Sequence, residues 1–296
     1  MTPINIMVTR HAAFYSPLIS AIAAGFLQQE GLAPSYAIAT PQRSVVDGIR
    51  DGSIHLGQSA VSSNWGLLER GEAPDIVHFS QINERDGFFI AAREPDPDFN
   101  WTKLIGKQVL VDHLRQPLAM FKYAVHQRGV DYESIESIDA GGVEEIDAAF
   151  RAGQGDYVHQ QGPAPQQLEK EGIGYVVAAV GEVIGPVAFS SLTASREWLR
   201  TDMARAFMHA YRKARHYVNN TEAATIAKAQ ATFFKGIDHD ALRRAIELYQ
   251  GLGCWQVDPR ITREAYDRAL DVFLHSGVIS KRHAYDTVVV APPDEG

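Results

Sequence analysis

Polar and charged side chains recur in this sequence at the points where an α/β chain leaves a strand. The stretches are Arg10-His11-Ala12-Ala13-Phe14-Tyr15, Thr40-Pro41-Gln42-Arg43-Ser44, Gly57-Gln58-Ser59, Gln81-Ile82-Asn83, Asp112-His113-Leu114-Arg115-Gln116, Asp139-Ala140-Gly141-Gly142 and His159-Gln160-Gln161-Gly162. In open α/β sheets ligands bind beyond the carboxyl ends of the strands. Several of these stretches run straight into a helix start, where unpaired N–H groups and the helix dipole favour negative charge by about 0.3–1 kcal/mol each. A carboxylate, sulfonate or phosphate is the ligand chemistry that fits. Taken singly, His11, Arg43, His113, Arg115 and His159 are better explained as solvated loop residues or helix caps; their shared position after strands gives them weight.

Signatures of bond-breaking chemistry are missing. There is no G-x-S-x-G elbow, H-E-x-x-H helix, Walker-type loop or kinase set. Gly153-x-Gly155 lacks the third glycine of a dinucleotide turn and follows a helix rather than a strand. Eleven histidines invite a metal reading, yet none is spaced with acidic or cysteine partners in a metal-binding pattern, and Asp238-His239-Asp240 reads as a helix N-cap with an acidic first turn. Cys254, the single cysteine, sits among apolar neighbours in Gly251-Leu252-Gly253-Cys254-Trp255 and is expected to pack as a small hydrophobe. No metal or cofactor is expected.

The elements that must position these residues alternate. Ile4–Thr9 reads as a strand, Pro17–Glu30 as a helix closed by Gly31, Ser35–Ala39 as a strand, Val45–Asp51 as a helix stopped by Gly52, and Ser53–Gly57 as a strand. A helix to Glu69 and a strand over Ile76–Ser80 follow. After the proline-containing stretch 93–98 the series resumes, with a strand at Gln108–Asp112 and a helix at Leu118–Arg128. Such alternation implies mostly parallel sheets covered by helices on both faces. Ile49-Arg50-Asp51-Gly52-Ser53-Ile54-His55-Leu56-Gly57 is echoed by Phe150-Arg151-Ala152-Gly153-Gln154-Gly155-Asp156-Tyr157-Val158; each is a helix end, a glycine stop and a short strand. Beyond Ser195 the chain reads as helices at Met203–Val218, Thr221–Phe234, His239–Leu252 and Thr262–Ser276, which embrace a sheet rather than extend it.

Length and composition bound the rest. A chain of 296 residues points to two compact units. A net charge of −8 repels polyanions, so nucleic-acid binding is not expected, and one cysteine excludes an intrachain disulfide. No apolar run reaches the roughly 18 residues of a membrane span. The start, Met1 to Val8, reads as a strand rather than a secretory leader. Either a leader has been removed from an exported protein, or the chain is cytoplasmic.

Four passages carry a family resemblance. They are His11–Tyr15 with Ala23-Ala24-Gly25-Phe26-Leu27-Gln28-Gln29-Glu30-Gly31-Leu32; the Val45–Gly57 joint; Leu104-Ile105-Gly106-Lys107-Gln108-Val109-Leu110-Val111; and Ile146–Tyr157 followed by Leu168-Glu169-Lys170-Glu171-Gly172. In order and spacing they resemble the substrate-binding proteins of bacterial ABC importers, in the branch serving sulfonates, nitrate and thiamine-pyrimidine precursors, over about Ile4 to Ser276. His55 departs from the pattern, standing where the first joint usually carries Asp; the second joint keeps Asp156. The resemblance implies an α/β, two-lobed type II periplasmic binding protein fold. One lobe would comprise residues 1–84 and 188–296, the other 85–187, with hinges near Gln81–Phe88 and Gly185–Ser190.

It also implies a monomer that captures a small organic anion between its lobes, whether sulfonate, carboxylate or heteroaromatic precursor, and delivers it to an ABC-type permease from the periplasm. The residues then expected at the ligand are His11, Phe14, Tyr15, Arg43, Ser44, Gln58, Ser59 and Asn83, with His113, Arg115, His159 and Gln160 across the cleft. Phe14 and Tyr15 would cover an organic body, or pack in the core instead. Some relatives are enzymes. The cysteine-rich motif of suicidal thiamine-pyrimidine synthases cannot exist here, whereas a lyase or desulfinase using the same cleft, with Asp112 and His113 as an acid–base pair, and a metabolite sensor both stay open.

Overall fold

The computed structural model describes residues 1–293. The chain begins with β1 (Thr2–Val8), α1 (Ser16–Ala23), α2 (Phe26–Gln29), β2 (Leu32–Ile38), α3 (Val45–Arg50), β3 (Leu56–Ser59), α4 (Trp65–Glu69) and β4 (Ile76–Asn83). It then crosses to β5 (Phe88–Ala92), β6 (Gln108–Leu110), α5 (Arg115–Gln127), β7 (Glu136–Ile138), α6 (Val143–Arg151), β8 (Tyr157–Gln161), α7 (Ala164–Lys170), β9 (Tyr175–Ala179) and α8 (Val180–Ile184). It returns through β10 (Ser190–Ser195) and closes with α9 (Asp202–Asn220), α10 (Ala223–Gln230), α11 (His239–Leu252), α12 (Arg263–His275) and α13 (Tyr285–Val288).

Two five-stranded sheets share one plan. Their orders are β2-β1-β3-β10-β4 and β7-β6-β8-β5-β9. In each, four strands point the same way and the fourth in the row, which adjoins a crossover, is reversed. The expected mostly parallel sheets are therefore present, each with one antiparallel strand inserted. The echoed joints occupy equivalent places, both leading into the third strand of their sheet. They also make the same bonds. His55 N–H donates to the Asn5 carbonyl at 3.0 Å while its Nδ1 accepts from Asn5 N–H at 2.9 Å. Asp156 N–H donates to the Gln108 carbonyl at 2.8 Å while its carboxylate accepts from Gln108 N–H at 3.0 Å. A neutral imidazole nitrogen thus replaces a carboxylate oxygen, and partial burial, which lowers the His55 pKa, keeps that nitrogen an acceptor.

Two differences from the sequence reading have physical causes. The helix expected over 17–30 is broken, because Gly25 takes φ +77° and its N–H closes on the Ile22 carbonyl, ending α1 at Ala23, about two turns early. Strand β10, Ser-Ser-Leu-Thr-Ala-Ser, has no strand-like hydropathy although most of it is buried. Its hydroxyls are satisfied from neighbouring strands: Ser190 donates to the Ser59 carbonyl, Ser191 meets His78 Nδ1 at 2.8 Å, and Thr193 donates to the Val77 carbonyl.

The inward strand faces and most helices form one continuous core, with smaller clusters on the outer faces around Met7, Val45 and Ile76, and around Leu110, Phe150 and Val158. Helices α9 and α10 pack on α1, whereas α11 also touches α7 and α12 touches α5. The C-terminal helices therefore embrace both sheets. Behind the first crossover lies the fully buried Arg215, which donates to the carbonyls of Gln81 (2.6 Å) and Ile82 (3.2 Å) and pairs with Glu84 at 3.3 Å. The crossovers are bonded to each other, Val187 N–H to the Glu84 carbonyl at 2.8 Å and Phe189 N–H to the Asn83 carbonyl at 3.3 Å.

Candidate functional site

Because four strands of each sheet share a direction, their carboxyl ends converge on a cavity of about 320 Å³ between the sheets. Thr9 and Arg10 reach it from the end of β1, Tyr15 from the turn before α1, Gln58 and Ser59 from β3, and Ser62 and Ser63 from the short turn that follows. The opposite wall is Phe88 at the start of β5, Leu114 to Pro117 at the start of α5, and Gln161 at the end of β8; Phe189 and Ser190 close the crossover side.

Two contacts span the cavity. Arg10 Nη2 lies 2.6 Å from Asp112 Oδ2, and Ser62 Oγ donates to Gln116 Oε1 at 2.8 Å. Asp112 is further fixed by Leu114 N–H at 3.0 Å, and Gln116 by donation to the Phe189 carbonyl at 2.7 Å. Arg10 lies 5.5 Å from the centre of the Phe88 ring. Gln58 accepts from Thr9 N–H and Oγ1, both at 2.9 Å, and donates to Ser190 Oγ, which fixes its amide in the cavity floor.

The charges beneath the cavity are unusual. Asp86 is fully buried; one carboxyl oxygen accepts Phe88 N–H at 2.7 Å, the other has no partner among the described residues, and burial pushes the group up to about 8 against the pull of Arg10. His159 is sandwiched between Phe88 and Phe121, at centroid distances of 4.2 and 5.1 Å, with neither ring nitrogen hydrogen-bonded among the described residues. Burial first, then the nearby Arg10 and His113, press its pKa down to about 3, so it is a neutral ring. Burial likewise raises the Tyr15 hydroxyl to about 12. Arg10 and Asp112 form an internally neutral pair, leaving Arg115, on the exposed rim with its guanidinium on the Val278 carbonyl at 3.1 Å, as an additional cation.

Tyr15, Gln58, Ser59 and Arg115, singled out from sequence, line this cavity together. His11 lies next door in a smaller cavity, its Nδ1 2.9 Å from the Tyr36 hydroxyl and its Nε2 2.9 Å from the Phe233 carbonyl. Phe14 does not reach the cleft. It is fully buried against Phe189 and Tyr249, and its carbonyl is held by Asn83 and Trp255, which commits the buried Asn83 amide to the core as well. Arg43 is exposed and turned to Asp51 at 3.0 Å, and Ser44 caps α3 in a reciprocal box with Asp47. Neither lines the cavity, because the loop after β2 folds onto its own helix.

His159 is a supporting ring rather than a lining residue. His113 faces the Val111 carbonyl and Ser137, away from Asp112, so the two do not form an acid–base pair. Gln160 points to the outer face of β8, 3.4 Å from Asp147; the two-residue period of a strand sends Gln161 to the cavity instead. Arg10, Gln116 and Gln161 lie in the stretches marked from sequence, but beside residues chosen in preference to them. Phe88, Phe189 and Ser190 belong to crossover segments, whose place at the cavity exists only once both sheets are assembled.

Two local expectations hold. Asp238 caps α11 by accepting Asp240 N–H at 2.8 Å, and Cys254 is fully buried, its thiol pushed far up by burial. Among the described residues no group of three or more His, Cys, Asp or Glu side chains is placed to hold a metal ion, and no helix is long and apolar enough to cross a membrane.

Residues 12–224 match the family model described as NMT1/THI5 like. A Bacillus subtilis (strain 168) protein named "Putative binding protein YtlA" is 26% identical over 293 residues, spanning 98% of this chain and 88% of that protein. The alkanesulfonate-binding protein SsuA from Xanthomonas axonopodis pv. citri, solved bound to MOPS, superposes with a TM-score of 0.72 at 17% identity, covering 98% of this chain and 99% of its own. The desulfurization enzyme DSZB shares the fold at a TM-score of 0.68 and 14% identity, over 98% of this chain and 97% of its own.

Proposed function

The chain belongs to the NMT1/THI5-like family, and from that premise we propose that it is a substrate-binding protein that captures a small organic anion, a sulfonate, carboxylate or acidic heteroaromatic precursor, for an ABC importer. The observation that carries this reading is Arg10. Its guanidinium stands where the carboxyl ends of β1, β3 and β8 converge, and its partner Asp112 belongs to the opposite sheet. An anion entering the cleft can take the place beside the Arg10 guanidinium that one Asp112 oxygen holds. Immediately beside it, the first-turn N–H groups of Arg115 and Gln116 at the start of the 13-residue α5 have no acceptor within their own helix. Together these make an anion seat that is preorganised and closed on itself.

Closure follows from the same layout. Residues 1–84 with 188–293 would move as one lobe and 85–187 as the other, about the paired crossovers 84–87 and 185–189; ligand held by Arg10 on one side and α5 on the other favours the closed state. The C-terminal helices that touch both sheets limit the opening. Delivery from the periplasm to a membrane permease is the destination that suits such a monomeric carrier.

Binding without turnover is the reading the chemistry favours. Ser63 at the cavity edge is 3.2 Å from His78 Nε2, but His78 is fully buried, burial holds its pKa down to about 3, and its other nitrogen meets the Ser191 hydroxyl rather than a carboxylate. Such an imidazole is a poor base. Native mass spectrometry of protein purified from its own host, with release of any bound small molecule, tests the proposal. An intact organic anion at one per chain, unchanged after long incubation, is expected; a substrate converted to a released product would overturn it.

A further inference from the structure

The smaller cavity beside the anion seat, about 200 Å³, shares Arg10 and Gln161 with it as common walls. Its remaining surface is chiefly apolar: Phe233 and Phe234 from the segment after α10, the flat face of Gly162 and Pro163, and Val143 at the start of α6. His11 completes it as a neutral ring. Burial lowers its pKa, both nitrogens are occupied, and it stacks on Phe234 with a centroid distance of 4.7 Å. Lys235 is the charged group besides Arg10, at the exposed end.

The partition is the informative part. Gln161 is 7% exposed, yet among the described residues neither atom of its amide makes a hydrogen bond of good geometry, although the Tyr15 hydroxyl lies close to it. A buried amide left in that condition costs free energy that a ligand group at the junction recovers. Cavities of about 150 Å³ already accept a benzene ring.

We infer that the ligand is an elongated aryl acid, with its anionic head at Arg10, a polar joint such as an amide, hydroxyl or ring nitrogen at Gln161, and a single aromatic ring in the second cavity. This rests on the binding reading above and adds to it the ligand's shape and its second subsite. Since Val143, Gly162 and Pro163 come from the second sheet's lobe and His11 and Phe233 from the other side, the ring would be gripped by both lobes.

The test uses three probes, methanesulfonate, benzenesulfonate and neutral benzamide, titrated into the full chain and into Val143→Trp. Val143 is 43% exposed, so the replacement fills the cavity from its rim while leaving the core alone; melting of the unliganded variant serves as the folding control. The expected result is about tenfold or more tighter binding of benzenesulfonate than of methanesulfonate, lost in the variant, with methanesulfonate affinity unchanged. Benzamide, followed by saturation-transfer NMR, should bind the natural chain and not the variant. Methanesulfonate binding without any gain from the ring, or a gain that survives Val143→Trp, overturns the inference and leaves the anion reading standing. Benzamide binding that the variant abolishes, with no anion bound, supports the ring subsite and removes the anion. Absence of binding by all three probes overturns both.

Discussion

On the proposed reading Asp112 sets how tightly Arg10 holds a ligand, and Asp112→Asn is the direct perturbation. The guanidinium is 14% exposed and the carboxylate 3%, at 2.6 Å, so solvent screens this pair far less than a surface one. An incoming anion must draw Arg10 from Asp112, and that exchange leaves the carboxylate held by Leu114 N–H at 3.0 Å. A charge-assisted hydrogen bond is worth about 1.5–3 kcal/mol. The amide variant keeps an oxygen for Leu114 N–H and has nearly the same shape, but no longer competes as an anion. Affinity for methanesulfonate should therefore rise by about 10- to 100-fold.

Isothermal titration at one fixed salt concentration measures this, with Arg10→Gln as the companion that should abolish the gain. The Ser62–Gln116 hydrogen bond across the cleft does not involve Asp112, so it should persist in Asp112→Asn. Equal or weaker affinity in Asp112→Asn, with the unliganded protein melting as before, would refute the idea that ligand and Asp112 compete for one guanidinium.

Asp86 ties stability to pH. Its carboxyl is raised from 3.8 to about 8, so the neutral form is favoured by the fold: its contribution is complete below about pH 4 and is lost as pH rises towards 8. Urea unfolding at pH 5, 6.5 and 8 should show the natural chain losing roughly 2–5 kcal/mol relative to Asp86→Asn across that range, and a constant difference would dismiss the buried neutral acid. Arg215→Met should cost about 3–5 kcal/mol, because Glu84 and the carbonyls of Gln81 and Ile82 lose a fully buried donor; denaturant midpoints read it, and a loss below 1 kcal/mol would contradict the bracing of the crossover. Arg43→Ala should change stability by less than about 0.5 kcal/mol, in line with an exposed pair, and leave methanesulfonate affinity within twofold; a large affinity loss would return Arg43 to the site.

The architecture was legible because it is written in repeated local signals. Helix, glycine stop and short strand occur at 49–57 and again at 150–158, and each sheet is built around the strand that such a joint introduces. His55 shows why a strict motif match understates the likeness: what the position needs is an acceptor for the N–H two strands away in sequence but adjacent in the sheet, and an imidazole nitrogen supplies it as a carboxylate does. Strand β10 was hidden for the opposite reason. Its Ser and Thr residues look solvent-bound in a hydropathy trace, and only the strands on either side reveal that every hydroxyl they carry inward finds a partner.

The site was legible in place but not in identity. The rule that ligands meet the carboxyl ends of strands selects loops, whereas the choice of residue within a loop depends on a strand's two-residue alternation and on where the next helix turns the chain. One step of register separates Gln160, facing Asp147 on the outer surface, from Gln161 at the partition between the two cavities; one step separates His11 from Arg10. Charge was the weaker guide. Arg43 has as strong a cation as Arg10, yet it pairs with Asp51 at the end of the adjoining α3, while Arg10, just past the end of β1, meets Asp112 from the other sheet's side of the cleft. On the proposed reading, what sets Arg10 apart from Arg43 is the origin of its partner: a carboxylate at the end of the adjoining helix makes Arg43 a surface pair, and a carboxylate from across the cleft leaves Arg10 as a seat for a ligand.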